Sequence, residues 1–379
     1  MSGDRDPRGT PGVGSAFETA HAVSVGDARA LPLPDDSVDL VVTSPPYPMV
    51  EQWDELFATL DPAVADALAS AETDDDPAAA ERAFDAMHAA LAPAWAEVAR
   101  VLAPGGVACV NVGDATRSAG GRFRLWDNAT RVADALGDRG LDRLPGVLWR
   151  KPTNSPTKFM GSGTIPPNAY VTLEHEHVLV FRNGDGRSFA PGDDTRYASA
   201  YFWEERNRWF SDTWDDLRGA DQSLGAAAPR ERSAAFPFEL PYRLIQMFTT
   251  YGDRVLDPFW GTGTTTLAAI AAGRDSVGVE RDPGFAASFA DRVADAPALS
   301  AERGRRRLRD HRAFLAERAD PPGYEATHYD FGVVTKAERD LRVYAATDVS
   351  PTATGYRARH EPLDALADRD TAPETVADE

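Results

Sequence analysis

The sequence predicts an α/β protein with a mostly parallel sheet and helices on both faces. Three stretches carry that expectation. An apolar run, Val38-Asp39-Leu40-Val41-Val42, ends against the prolines of Thr43-Ser44-Pro45-Pro46-Tyr47-Pro48. Residues 95–112 pass from the helix-like WAEVARVL through Pro104-Gly105-Gly106 to the strand-like VACVNV. Residues 252–281, GDRVLDPFWGTGTTTLAAIAAGRDSVGVER, read as strand, Gly-rich turn, helix and strand. Short apolar strands alternating with helical runs indicate parallel strands joined by crossover helices, because parallel neighbours need long connections.

In chain order, residues 1–20 are polar and rich in Gly and Pro and are expected to be disordered. A strand is expected within 21–30, ending at Gly26-Asp27. Val38–Val42 fits a short buried strand that must stop at Pro45 and Pro46, since neither can donate to a ladder. The loop it opens is rigid, and such sheets place ligands at the carboxyl ends of their strands. Residues 51–102 have helical spacing, interrupted at Asp74-Asp75-Asp76-Pro77. A strand at 107–112 follows and holds the single cysteine, Cys109, expected as a small core residue. Next come a helix at 128–138 and strands at 145–151 and 171–182. From 183 to 235 no period is clear, which reads as an insert or recognition region. Helical order resumes after Phe236-Pro237 and continues to Met247, ahead of the Gly-rich stretch. Beyond 296 lie a basic helix, AERGRRRLRDHRAF, and a mixed segment of uncertain order. The expected units are therefore 1–20, 21–182, 183–235, 236–295 and 296–379.

Composition narrows the setting. The 379 residues carry 60 acidic against 40 basic side chains, a net charge of −20, and lysine occurs only at Lys151, Lys158 and Lys336. An acidic surface with arginine replacing lysine suggests adaptation to high cytoplasmic salt, where carboxylate repulsion is screened. With no apolar run approaching ~18 residues and no leader-like segment, a soluble cytosolic protein is expected. Such acidity ordinarily argues against a nucleic-acid partner. In concentrated salt that argument weakens, because counterion release drives little binding and base contacts must carry more.

The Gly-rich stretch points to a ligand. Gly261 and Gly263 lie between a buried strand and a helix, where glycine lets a backbone approach a ligand and free helix amides favour an anion. Glu280 falls at the end of the next strand, where a carboxylate can accept two hydrogen bonds from a ribose diol. The combination indicates a nucleoside-containing cofactor.

Thr43-Ser44-Pro45-Pro46-Tyr47 together with Asp257-Pro-Phe-Trp-Gly-Thr-Gly-Thr-Thr265 resembles the amino-methyltransferases that move a methyl group from S-adenosylmethionine to N4 of cytosine or N6 of adenine in DNA. The order of the two motifs is similar to the circularly permuted β group, and the likeness spans roughly residues 22 to 290. It implies a circularly permuted Rossmann-like fold, with 21–182 the catalytic half and 236–295 the cofactor half. It places Asp257, Phe259, Gly261, Gly263 and Thr264 around the methionine part of S-adenosylmethionine, Glu280 on its ribose and Asp27 near its adenine amine. Phe236-Pro237 would line the methionine end. There this chain reads Arg232-Ser-Ala-Ala-Phe-Pro where the family often has His-Pro-Ala-x-Phe-Pro, so the upstream position departs from the pattern.

An exocyclic amine is a poor nucleophile because its lone pair is delocalised into the ring. Ser44 Oγ and the Pro45 carbonyl are suited to accept its two N–H bonds, with Pro45 and Pro46 fixing the carbonyl's direction. Tyr47 would stack on a base flipped out of the duplex, and transfer would follow by in-line displacement. Serine at the head of the tetrapeptide leans toward cytosine N4.

The remaining candidates have blander alternatives. Lys151 and Lys158, in Arg150-Lys-Pro-Thr-Asn-Ser-Pro-Thr-Lys158, suit phosphate or base contact or form an ordinary polar loop. Trp53 either walls the base pocket or packs a helix. Arg305 and Arg306, within six arginines from Arg303 to Arg312, form a phosphate-binding surface or a solvated helix face. His175 and His177 alternate with glutamates but lack a third ligand, and the reaction needs no metal. The leading expectation is a site-specific DNA cytosine-N4 methyltransferase, partnered by a cognate restriction endonuclease or acting alone. The alternatives are cytosine-N4 methylation of ribosomal RNA, adenine-N6 methylation of DNA, and a non-enzymatic nucleic-acid-binding protein.

Overall fold

The computed structural model describes residues 15–73, 76–151, 161–217 and 236–363. The first strand, β1 (Phe17–Val25), begins ahead of the disorder boundary expected at residue 20. Phe17 belongs to it because its ring is enclosed by Tyr251, Tyr344 and His360, with centroids 5.7, 5.0 and 4.9 Å away. β2 (Val38–Thr43) is buried along its whole length and stops at the prolines. Helices α1 (Asp54–Leu60), α2 (Pro62–Thr73) and α3 (Pro77–Val101) follow. Asp76 caps α3 by accepting from Ala78 N, and Pro77 sits in the first turn, where no intrahelical N–H is needed. β3 (Leu102–Val112) starts directly after α3, and Pro104-Gly105-Gly106 make a bulge against β2 rather than a separate turn.

A hairpin of β4 (Ala115–Ala119) and β5 (Arg122–Trp126) leads to α4 (Asn128–Gly137), then to β6 (Asp142–Arg150) and β7 (His175–Arg182). The region read as lacking a period contains α5 (Asp194–Ala198), α6 (Trp203–Trp209) and β8 (Thr213–Trp214). Among its described residues, Phe202, Trp209 and Trp214 are buried against the rest of the protein. α7 (Glu239–Phe248), β9 (Arg254–Asp257), α8 (Thr264–Ala272) and β10 (Asp275–Glu280) match the expected elements. α9 (Pro283–Val293) and α10 (Ala296–Glu317) come next. The segment of uncertain order then forms the short pair β11 (Tyr324–Glu325) and β12 (Gly332–Val333) and the hairpin β13 (Tyr344–Thr352) and β14 (Gly355–Pro362).

Ten strands make one sheet in the order β13-β14-β1-β10-β9-β2-β3-β7-β6-β8. Its central strands, β1-β10-β9-β2-β3, are parallel, while β7 and β14 run antiparallel on either side. Alternation splits each central strand between two cores. Val38 and Val41 of β2 and Ala108, Val110 and Val112 of β3 pack under α3 and α4. Leu40, Val42, Val107 and Cys109 face α7 and α8. α10 is tied to α6 by a buried bidentate pair, Arg307 to Glu205 at 2.7 and 2.8 Å. Among the described residues no helix is long and apolar enough to cross a membrane.

Candidate active site

The carboxyl ends of β1, β10, β9 and β2 converge on a cavity of about 500 Å3. Asp27 and Arg29 line it after β1, Ser44 and Pro46 after β2, Phe259 and Gly261 after β9, and Glu280 at the end of β10; Trp53 and Leu91 close one wall. Both motifs thus meet at one opening although more than two hundred residues separate them. A larger cavity of about 650 Å3 lies beside Tyr201 and the Thr249-Thr250 turn and contains no residue of either motif.

On the Gly-rich side, Gly261 has φ 53 and an added Cβ would find nothing nearer than Phe259 O at 3.8 Å, so this turn is open to a ligand. Its amide donates to Glu280 Oε2 at 2.8 Å, and Asp282 N donates to Glu280 Oε1 at 2.9 Å. These contacts aim the carboxylate while leaving acceptor capacity for a diol. Gly263 is the N-cap residue of α8, at φ 80, and the first residues of that helix are buried. Asp27 accepts from Arg29 Nε at 3.0 Å and Nη2 at 2.8 Å; the Arg29 guanidinium holds its carboxyl below the usual range despite partial burial.

Asp257, expected around the cofactor, does not line the cavity. It is 3% exposed and lies behind the turn, because both its oxygens are taken up inside the protein. Thr43 Oγ1 donates to Oδ1 at 2.6 Å, Thr265 Oγ1 to Oδ2 at 2.7 Å and Phe259 N to Oδ1 at 3.2 Å. Burial outweighs these donors and pushes its carboxyl up to about 6. Asp257 therefore clips the TSPPYP loop to the Gly-rich turn.

On the other side, Ser44 reaches the cavity, whereas Tyr47 is only 7% exposed and does not line it. Its ring lies against Gly113, where a Cβ would come within 3.1 Å. Its hydroxyl is drawn inward to Ser44 Oγ at 2.8 Å, Asn111 Nδ2 at 3.0 Å and Glu176 Oε2 at 3.1 Å. The loop leaves through Met49 at φ 62, a strained angle for a side-chain-bearing residue. Asn128 Nδ2 holds the turn by donating to Pro48 O at 3.0 Å.

Comparison with known proteins bears on this geometry. The sequence profile of the DNA methylase family of N6/N4 type matches residues 38–291, which includes both motifs. The chain belongs to the N6/N4 DNA methylase family. The methylase is 49% identical over 314 residues to Type II methyltransferase M.MthZI of Methanothermobacter thermautotrophicus, covering 82% of this chain and 86% of that protein. It is 49% identical over 269 residues to M.MjaI of Methanocaldococcus jannaschii, covering 70% and 88%. Among solved structures it is similar to TTHA0409 of Thermus thermophilus, described as a DNA modification methylase and complexed with S-adenosyl-L-methionine; identity is 31%, the TM-score 0.56, and coverage 73% of this chain and 94% of that one. S-adenosyl-L-methionine is accordingly the methylase's cofactor. The open face of Gly261 and the aimed Glu280 carboxylate fit its nucleoside.

Other expected residues stand elsewhere. Gly263 and Thr264 are buried and do not line the cavity, and a Cβ at Gly263 would meet the Phe289 and Trp260 rings. Phe236 is buried in the core under α7, and Pro237 borders a separate hollow with Arg243 and Arg303. Lys151 is bound to Glu176 at 2.7 Å, and Lys158 lies outside the described residues. Arg305 and Arg306 are exposed on α10, away from the cavity, with Arg306 paired to Asp310 at 3.7 Å. Trp53 is among the residues lining the cavity. His177 meets Asp114 at 3.7 Å, and no three His, Cys, Asp or Glu side chains among the described residues are grouped to hold a metal ion. Sequence reasoning missed Asn111 and Glu176, since nothing in their local pattern shows which strand face turns toward Tyr47.

Proposed function

We propose that this methylase transfers the methyl group of S-adenosyl-L-methionine to the N4 amine of a cytosine flipped out of a specific DNA sequence. The observation that carries the reading is Ser44, which lines the same cavity as Gly261 and Glu280 and heads the Ser-Pro-Pro-Tyr tetrapeptide. The bound cofactor supplies an electrophilic methyl on a sulfonium. The chain supplies acceptors that hold the amine, and a serine among them favours cytosine over adenine. The order of the motifs supports the permuted β group. The Type II methyltransferases it resembles support a restriction-modification role, with a cognate endonuclease cutting the same sequence when it is unmethylated.

The test is transfer of labelled methyl to unmodified genomic DNA in molar salt, followed by nucleoside mass spectrometry. N4-methylcytosine is the expected product. N6-methyladenine would overturn the choice of base, and unlabelled DNA would overturn the reading as a whole.

A further inference from the structure

Behind Ser44, four side chains from distant parts of the sequence form one hydrogen-bond chain. Lys151 Nζ donates to Glu176 Oε1 at 2.7 Å. Asn111 Nδ2 donates to Glu176 Oε2 at 2.6 Å and to Tyr47 Oη at 3.0 Å. Tyr47 Oη lies 3.1 Å from Glu176 Oε2 and 2.8 Å from Ser44 Oγ.

Chemistry fixes the direction of this chain. A carboxylate paired with an ammonium group can only accept, so the single Tyr47 proton goes inward to Glu176 at 3.1 Å, the nearer of its two inward acceptors, the other being the Asn111 backbone carbonyl at 3.4 Å. Turning the Asn111 amide over would set two oxygens 2.6 Å apart, so its NH2 must face Glu176 and Tyr47. Tyr47 Oη then accepts from Asn111 and from one further donor, which is Ser44 O–H. Burial, followed by the neighbouring Glu176 charge, raises the Tyr47 phenol well above its ordinary value, so it keeps the proton it donates. The Ser44 proton is thereby turned inward and its lone pairs face the cavity. A Ser44 proton pointing outward would instead bond the amine's own lone pair, the electrons that must attack the methyl group.

We propose that Glu176, held by Lys151, is a positioning residue for methyl transfer: it sets the direction of the Glu176–Tyr47–Ser44 chain so that Ser44 meets the target amine as an acceptor. The inference rests on the reading that Ser44 binds that amine. It also gives Lys151 and the Tyr47 hydroxyl their parts in the reaction.

Glu176→Gln keeps the shape but adds a donor, which frees Tyr47 to point its proton at Ser44. The expected result is a fall in kcat on the order of 100-fold, with the DNA KM and the calorimetric cofactor Kd changed by less than about twofold. Tyr47→Phe should lose a similar factor, and the double variant should lose no more than either single one, because both break the same chain. Circular dichroism establishes that each variant is folded, and Tyr47→Phe carries the test if Glu176→Gln is not. Wild-type kcat in a folded variant, a matching loss of cofactor affinity, or additive losses in the double variant would overturn the inference while leaving DNA methylation intact. A wild-type protein that methylates no DNA would remove the reading beneath it.

Discussion

A carbon added at Gly263 would stand 2.5 Å from the Phe289 ring and 2.7 Å from Trp260, on a backbone at φ 80. Left-handed strain costs about 1–2 kcal/mol, and overpacking adds about 1–3 kcal/mol. Gly263→Ala is therefore expected to destabilise the protein by about 2–5 kcal/mol in urea unfolding. At Gly261 the same carbon points into open space, so Gly261→Val should cost little beyond backbone strain yet weaken S-adenosyl-L-methionine binding by at least about tenfold in a calorimetric titration. Equal destabilisation at the two positions would contradict this division between a packed glycine and a ligand-facing one. Ser44→Ala separates the functions differently: cofactor affinity should persist while methyl transfer to DNA disappears.

The β13–β14 hairpin is joined to β1, and β1 in turn to β10, through four buried polar side chains. Thr19 Oγ1 lies 2.7 Å from His21 Nε2 and 2.8 Å from His360 Nε2, while Ser276 Oγ lies 2.9 Å from His21 Nδ1. Burial, reinforced for His21 by His360 and for His360 by Arg274, pulls both imidazoles from 6.5 down to about 3. Between those values the unfolded chain binds protons that the folded one does not, so their contribution to stability is complete above pH 6.5 and is lost as pH falls toward 3. Hydrogen exchange should show the β13 and β14 amides losing protection on acidification before those of β2 and β9, and His360→Gln should flatten that dependence. Equal pH dependence in the variant would show that the histidines are not responsible. This hairpin was also the part of the sheet least legible in the sequence. β2, β9 and β10 announce themselves by short apolar runs bounded by Pro or Gly, whereas β13 buries only Tyr344, Ala345 and Ala346 and then turns polar. The site divides the same way. Ser44, Gly261 and Glu280 were readable because turn chemistry marks them, but Glu176 reaches Tyr47 only through the antiparallel register that sets Asn111 opposite Val178. Register is a property of two strands, and neither one encodes it alone.

For the whole molecule, 60 acidic side chains against 40 basic ones create a repulsion that dilute buffer does not cancel. The screening length falls from about 10 Å at 0.1 M to about 3 Å at 1 M salt. The melting temperature is accordingly expected to rise steadily with KCl between those concentrations, and to respond less to a neutral osmolyte. A melting temperature that falls with KCl would refute the inference of salt adaptation. The same screening removes what ordinarily keeps acidic molecules apart, so at high salt the shape of the sheet's borders bears more on aggregation. On one side β8 offers only two residues to a passing strand. On the other, β13 is kinked by a bulge between Ala346 and Asp348 and carries Pro351, which has no amide proton to share. Among the described residues, then, the ten-stranded sheet ends on strands too short or too interrupted to give a second copy much to pair with.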